Sequence, residues 1–149
     1  MWQDRYKKAI TLSYDDGIKQ DIRLVQLLNK YHLKATFNIN TGLSGRTFDF
    51  YIDGHRIEHL ALEDMISLYQ GHEVAVHTVT HPHLTNLSKD AIEKEIVDDM
   101  KTIERIFKQK PVGMAYPYGD YDDHVVHCVE LSGLRYARTV ESNHQTTVQ

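Results

Sequence analysis

Three short segments concentrate the side chains able to do chemistry. Asp15 and Asp16 close an apolar stretch and precede Gly17. One carboxylate in that place would serve equally well as a helix cap. Two adjacent carboxylates repel each other unless positive charge lies beside them, and a bound cation supplies it. Neighbouring side chains leave a strand end in different directions, so one can ligate a cation while the other faces a water. The second segment is His77-Thr78-Val79-Thr80-His81, with two imidazoles four residues apart. On a helix this spacing is that of a zinc protease. That reading fails because position 78 is Thr where such enzymes carry a Glu base, and because Pro82 disfavours a helical His81. A loop or single turn brings both nitrogens to one ion equally well, and two ordinary polar loop histidines are the plainer alternative.

Asp16, His77 and His81 together would make a site of two histidines and a carboxylate. Zinc, or another divalent first-row metal, suits such ligands and leaves positions for water and substrate. Such a metal lowers the pKa of bound water to about 7 and polarises a carbonyl. Asp15, adjacent but not ligating, is placed to take the water's proton. The third segment is Met114-Ala115-Tyr116-Pro117-Tyr118-Gly119. Pro117 fixes its own φ and Gly119 permits an unusual turn. The backbone N–H of Tyr118 can then point into the site and stabilise an oxyanion. An ordinary strand-to-helix turn with packed tyrosines is the alternative. Tyr116 and Pro117, on the same turn, are the candidates for substrate contact.

These segments need elements that bring them together. Short apolar runs predict strands at 9–14, 35–39, 73–76, 112–116 and 135–140. Helical spacing predicts helices at 21–31, 62–69, 89–108 and 124–131, the first with Ile22, Val25 and Leu28 on its apolar face. The longest, opened by Ser88 as N-cap, carries Ile92, Ile96, Met100, Ile103 and Phe107 on one face. Asp53-Gly54 predicts a tight hairpin between 47–52 and 55–57. Strands alternating with helices imply a mostly parallel α/β sheet or barrel. In such folds the chemistry sits at the C-terminal strand ends, where Asp15, Asp16, residues 38–40, His77 and residues 116–118 all fall.

Composition narrows the class. The 149 residues suit one domain, and 41% hydrophobic with 26% charged residues is a globular balance. No apolar run approaches the roughly 18 residues of a membrane span. The opening MWQDRYKK leads into only a short apolar stretch, so no secretory signal is visible. The lone Cys128 excludes an internal disulfide and a multi-cysteine zinc site. A net charge of −4 argues against nucleic acid as the partner.

In order and spacing, the three segments resemble the polysaccharide deacetylase family, which includes chitin, chito-oligosaccharide, peptidoglycan and acetylxylan deacetylases. Ser13-Tyr14-Asp15-Asp16-Gly17 is similar to the family's Thr-Phe-Asp-Asp-Gly motif. His77-Thr78-Val79-Thr80-His81 is a full match to its His-(Ser/Thr)-x-x-His motif. Ala115-Tyr116-Pro117-Tyr118-Gly119 resembles its Arg-x-Pro-Tyr-Gly motif. The resemblance runs from about residue 9 to residue 140. It implies a distorted (β/α) barrel, incomplete in this chain. It also implies Asp15 as base, Asp16, His77 and His81 as metal ligands, and Tyr118 N–H in the oxyanion hole. The implied reaction removes acetyl groups from an N- or O-acetylated carbohydrate, with metal-activated water attacking the acetyl carbonyl.

Three departures from the family pattern stand out. Ala115 occupies the place of the arginine that orients the base, and Ile18 that of a proline. The late Leu-x-Leu-His segment, whose histidine acts as general acid, is not visible; His124 and His127 fall in a helix and His144 in a polar tail. The chain therefore reads as the N-terminal two-thirds of a single family domain over 1–149, with a polar tail at 141–149. An open barrel side leads us to expect a homo-oligomer that covers it. An amidase on a small non-sugar C–N bond, or an impaired metal- and carbohydrate-binding domain, are the competing readings. No export signal is visible, whereas the family works mostly outside the cytoplasm.

Overall fold

The structure, a computed structural model, describes residues 9–142. In chain order, β1 (Ser13–Asp15) leads to α1 (Asp21–Lys30) and β2 (Thr36–Ile39). A hairpin of β3 (Thr47–Ile52) and β4 (His55–Glu58) follows, then α2 (Leu62–Leu68), β5 (Glu73–Val76) and α3 (Lys89–Phe107). β6 (Gly113–Ala115), α4 (Asp123–Ser132) and β7 (Tyr136–Arg138) complete it. Five strands form one parallel sheet in the order β1-β2-β5-β6-β7. The order never reverses, as in a barrel and unlike a doubly wound sheet. The fold is thus the half-barrel of an incomplete distorted (β/α) barrel.

Side chains alternate across the sheet. One face carries Tyr14, Phe37, Ile39, Val74, Val76 and Met114, which pack against Val25 and Leu28 of α1, Met65 of α2, the Ile92–Ile96–Ile103 stripe of α3 and Val125 of α4. The other face carries Ser13, Asp15, Thr36, Asn38, Glu73, Tyr136 and Arg138, by the strand register. These polar groups bond to one another across the strands: Asn38 Nδ2 donates to Ser13 Oγ at 2.9 Å, and Arg138 Nε donates to Ser13 Oγ at 3.1 Å. Burial and its bond to Glu73 push the Tyr136 phenol up to about 12.

Arg138 and Ser13 lie on the two edge strands. Four strand spacings of about 4.8 Å would separate those edges by roughly 19 Å in a flat sheet, beyond one arginine's reach. The sheet must therefore curl towards its polar face. Small residues make the curl possible: a Cβ at Gly113 would lie 2.0 Å from the Tyr136 ring, so only glycine lets that side chain cross β6.

β5 matches the expected 73–76, and the other four strands are shorter than the apolar runs that suggested them. β1 begins at Ser13 rather than residue 9: Ile10 is 88% exposed, and the ladder starts only where Thr36 N–H donates to Leu12 O at 2.9 Å. β7 spans three residues of the expected 135–140. Residues 143–149 of the expected tail, His144 among them, and residues 1–8 lie outside the described residues. On α1 the buried face is Asp21, Val25 and Leu28, while Ile22 is 44% exposed. The reason is a partner: the Tyr69 hydroxyl donates to Asp21 Oδ2 at 2.6 Å.

Burial, the largest influence, raises the Asp21 carboxyl from 3.8 to about 6 against the pull of the Tyr69 bond. The folded state thus holds the proton more tightly than the unfolded chain. Stability should fall as pH rises from about 4 to about 6, then level off. Asp21→Asn keeps an acceptor for Tyr69 and lacks the titration. We predict that it matches the wild type near pH 4 and exceeds it at pH 7, by on the order of 1–3 kcal/mol. Urea melts at the two pH values measure this; an Asn variant less stable at both would contradict it.

Candidate active site

Each segment reaches the site from a strand end. β5 delivers His77, buried at the C-terminal end of the sheet. Its Nδ1 lies 2.8 Å from Ala115 O; a carbonyl only accepts, so Nδ1 carries the proton and Nε2 presents its lone pair. That second bond fixes ring and tautomer in the manner common to metal-ligating histidines. Thr78 and His81 then adopt φ of 69° and 57°, and Asp16 and Tyr118 adopt 75° and 60°. Left-handed backbone at non-glycine residues costs on the order of 1–3 kcal/mol each and persists only where neighbours enforce it.

The neighbours are visible. Asp99, fully buried on α3, accepts from Thr41 N–H at 2.9 Å, Thr41 Oγ1 at 2.6 Å and His77 N–H at 3.1 Å. Burial nonetheless pushes its carboxyl up to about 8. One helical turn earlier, Glu95 accepts from Thr80 N–H at 2.9 Å and Thr80 Oγ1 at 2.7 Å, and its backbone carbonyl accepts from Val79 N–H at 3.2 Å. Asn40 Nδ2 donates to the carbonyls of His77 and Thr78. Gly42 packs its backbone against Val79, whose carbonyl oxygen would lie 2.6 Å from any Cβ at position 42.

So held, three donor groups converge. Asp16 Oδ1 lies 3.6 Å from His77 Nε2 and 3.6 Å from His81 Nε2. Ligand atoms of Asp16, His77 and His81 all lie within 4.8 Å of one another. Burial first, and then the nearby His77, lower the His81 pKa and favour the neutral, lone-pair-bearing ring. Two imidazoles, one carboxylate and an open side suit a divalent transition metal. Asp15 points elsewhere: Arg138 Nη2 contacts both its oxygens, and Asn38 Nδ2 donates to Oδ1 at 2.9 Å.

A cleft of about 610 Å³ opens over this cluster, lined by Asp16, Leu43, Arg46, His59, Thr80, His81 and Tyr118. The Tyr118 ring packs edge-on to His81 at 4.5 Å and stacks on His83 at 4.0 Å. His83 therefore supports the wall. Its Nδ1 lies 3.5 Å from Asp120 Oδ2. Tyr116 and Pro117 do not line the cleft, contrary to the expectation of substrate contact. Both are buried, and Tyr116 stacks on Tyr121 at 5.2 Å, so packing beneath the turn consumes their surfaces. Arg46 and His59 were not foreseen, because they flank the hairpin and belong to no motif. Asn38 belongs to the strand-end residues 38–40 expected at the site, whereas Arg138 fell inside the expected strand 135–140 and reaches a strand end only because β7 stops at residue 138.

Fold and site together define a class, and the comparisons agree with it. The family model described as polysaccharide deacetylase matches residues 3–137. The chain belongs to the polysaccharide deacetylase family. It is 32% identical over 131 residues to chitin deacetylase 1 of Cryptococcus neoformans, covering 86% of this chain and 25% of that protein. It is 30% identical over 130 residues to a chitooligosaccharide deacetylase of Rhizobium leguminosarum, covering 86% of this chain and 54% of that protein. A Streptococcus pyogenes deacetylase solved with acetate superposes with a TM-score of 0.75 at 28% identity, covering 87% of this chain and 54% of that one. The chain thus spans about a quarter to about half the length of these relatives.

The geometry predicts stoichiometric binding of a divalent metal by the purified chain. His77→Ala combined with His81→Ala should abolish it. Elemental analysis after dialysis is the measurement, and full retention by the double variant would contradict the assignment.

Proposed function

We propose that the chain is the metal-carrying part of a deacetylase that removes acetyl groups from an N- or O-acetylated carbohydrate. The convergence of Asp16, His77 and His81 beneath an open cleft, with the separately held Asp15 beside them, carries this reading. Zinc or another first-row divalent ion held by those three residues would acidify a water and polarise the acetyl carbonyl. Asp15 accepts the proton of the attacking water, a role that suits a carboxylate kept out of the ligand set. The Tyr118 N–H donates to the carbonyl oxygen as charge develops there. Its neighbours support this: Gly119 N–H and Asp120 N–H are already bonded to Tyr116 O at 2.9 Å and Pro117 O at 3.0 Å. Gly119, at φ 71°, sets the turn, and Val140 would lie 2.3 Å from a Cβ there. Among the described residues no helix is long and apolar enough to cross a membrane. β1 and β7 are the edges of the described sheet. We propose that the chain associates with a second copy there, since edge strands invite pairing; light scattering showing only 17.3 kDa particles would contradict this.

Acetate release from acetylated chito-oligosaccharides, peptidoglycan fragments and acetylxylan tests the reaction. Asp15→Asn should keep the metal and lose about 10²–10⁴-fold in turnover, since it removes a base and no ligand. Asp16→Asn should weaken metal binding itself. Equal metal loss in both variants would overturn this division of roles. Glycan binding without any acetate release would favour the impaired-domain alternative, and turnover of a small non-sugar amide alone would favour the amidase.

A further inference from the structure

We propose that Arg138 is the positioning residue for Asp15, so that the last strand of the sheet holds the base supplied by the first. The inference rests on the reading of Asp15 as base. The contacts are more specific than a surface ion pair. Arg138 Nη2 meets both carboxylate oxygens, Nε donates to Ser13 Oγ at 3.1 Å, and Nη1 donates to Thr139 O at 3.3 Å. All three guanidinium nitrogens are engaged, which fixes the plane of the group. Asn38 Nδ2 adds a donor to Asp15 Oδ1 at 2.9 Å and another to Ser13 Oγ at 2.9 Å. Ser13 therefore bridges the two groups that grip Asp15, and the carboxylate is held from β2 and β7 at once.

Space for this grip is built into the sheet. Arg138 pairs in register with Ala115 on β6, whose single methyl group leaves the concave face open to a long side chain. The pair is half-screened from water, with side-chain exposures of 34% for Arg138 and 32% for Asp15. Nη2 alone meets both carboxylate oxygens, and its direction is set because Nε and Nη1 of the same rigid plane are anchored to Ser13 and Thr139, an anchorage that lysine's single ammonium lacks. Proton acceptance depends on that direction, and a misplacement of about 1 Å costs on the order of 100-fold in rate.

The test compares the full chain with Arg138→Ala and Arg138→Lys, all metal-loaded. With acetylated chito-oligosaccharide, Arg138→Ala should lose about 10- to 100-fold in kcat, with KM unchanged within about twofold. Arg138→Lys should recover little of that loss, and added guanidinium ion should restore part of it to Arg138→Ala alone. An Arg138→Ala protein that melts earlier but keeps its kcat would show a merely structural tie between the sheet edges and overturn the proposal. A readout independent of turnover is the Arg138 Nη2 proton signal in nitrogen-15 NMR, since Nη2 is the nitrogen that meets Asp15. It should exchange slowly in the wild type and rapidly in Asp15→Asn. Rapid exchange in the wild type would overturn the grip itself, whereas slow exchange in a wild type without acetate release would sink only the functional reading.

Discussion

Asp99 is a carboxyl group with no exposed surface, placed in the middle of the apolar stripe of α3. Burying it is costly unless its oxygens find donors. They find Thr41 at the end of β2 and the backbone of His77 at the end of β5. A helix on the outer face of the sheet thereby ties two strand ends together at the place where the site forms. Glu95, one turn away on the same helix, secures Thr80. The left-handed residues Thr78 and His81 lie between and beside these anchors. Thr78 itself is held by Asn40, which donates to its carbonyl at 3.0 Å, and by its own hydroxyl, which accepts from His81 N–H at 3.2 Å.

A second constraint comes from the opposite face of the sheet. An ordinary parallel sheet is apolar on both sides. Here one side is lined by Ser13, Asp15, Thr36, Asn38, Glu73, Tyr136 and Arg138, which satisfy one another by curling the sheet. The cluster of Asp16, His77 and His81 sits on the rim of this concavity, where Asp15 belongs to the polar lining and Asp16 turns out of it. Two consecutive aspartates acquire different surroundings because the first is the last residue of β1 and the second has left the strand at φ 75°.

Much of this was legible in the sequence, and the reasons differ by element. The helices follow from apolar spacing: Lys89–Phe107 matches the predicted 89–108 within a residue, and Ser88 Oγ caps it by accepting from Ala91 N–H at 3.4 Å. The hairpin follows from Asp53-Gly54, both at positive φ. The segments around Asp16, His77 and His81 were legible because their order and spacing along the chain match a set of three motifs. What escaped was set by tertiary partners. Asp21 and Asp99 look like solvent-facing helix residues, and only Tyr69, Thr41 and the His77 backbone make them interior. Arg138 sits in a three-residue strand whose partner is 123 positions earlier in the chain. Tyr116 and Pro117 read as cleft residues by their motif, yet the turn buries them.

The central claim is that Asp16, His77 and His81 bind one cation while Asp15 stays with Arg138. Crystals grown with zinc and measured at the zinc absorption edge test it directly. The account predicts an anomalous peak bonded to an Asp16 oxygen and to Nε2 of both histidines at about 2.0–2.2 Å, with Asp15 still paired to the guanidinium. A peak ligated by Asp15, or none between the two imidazoles, would contradict it.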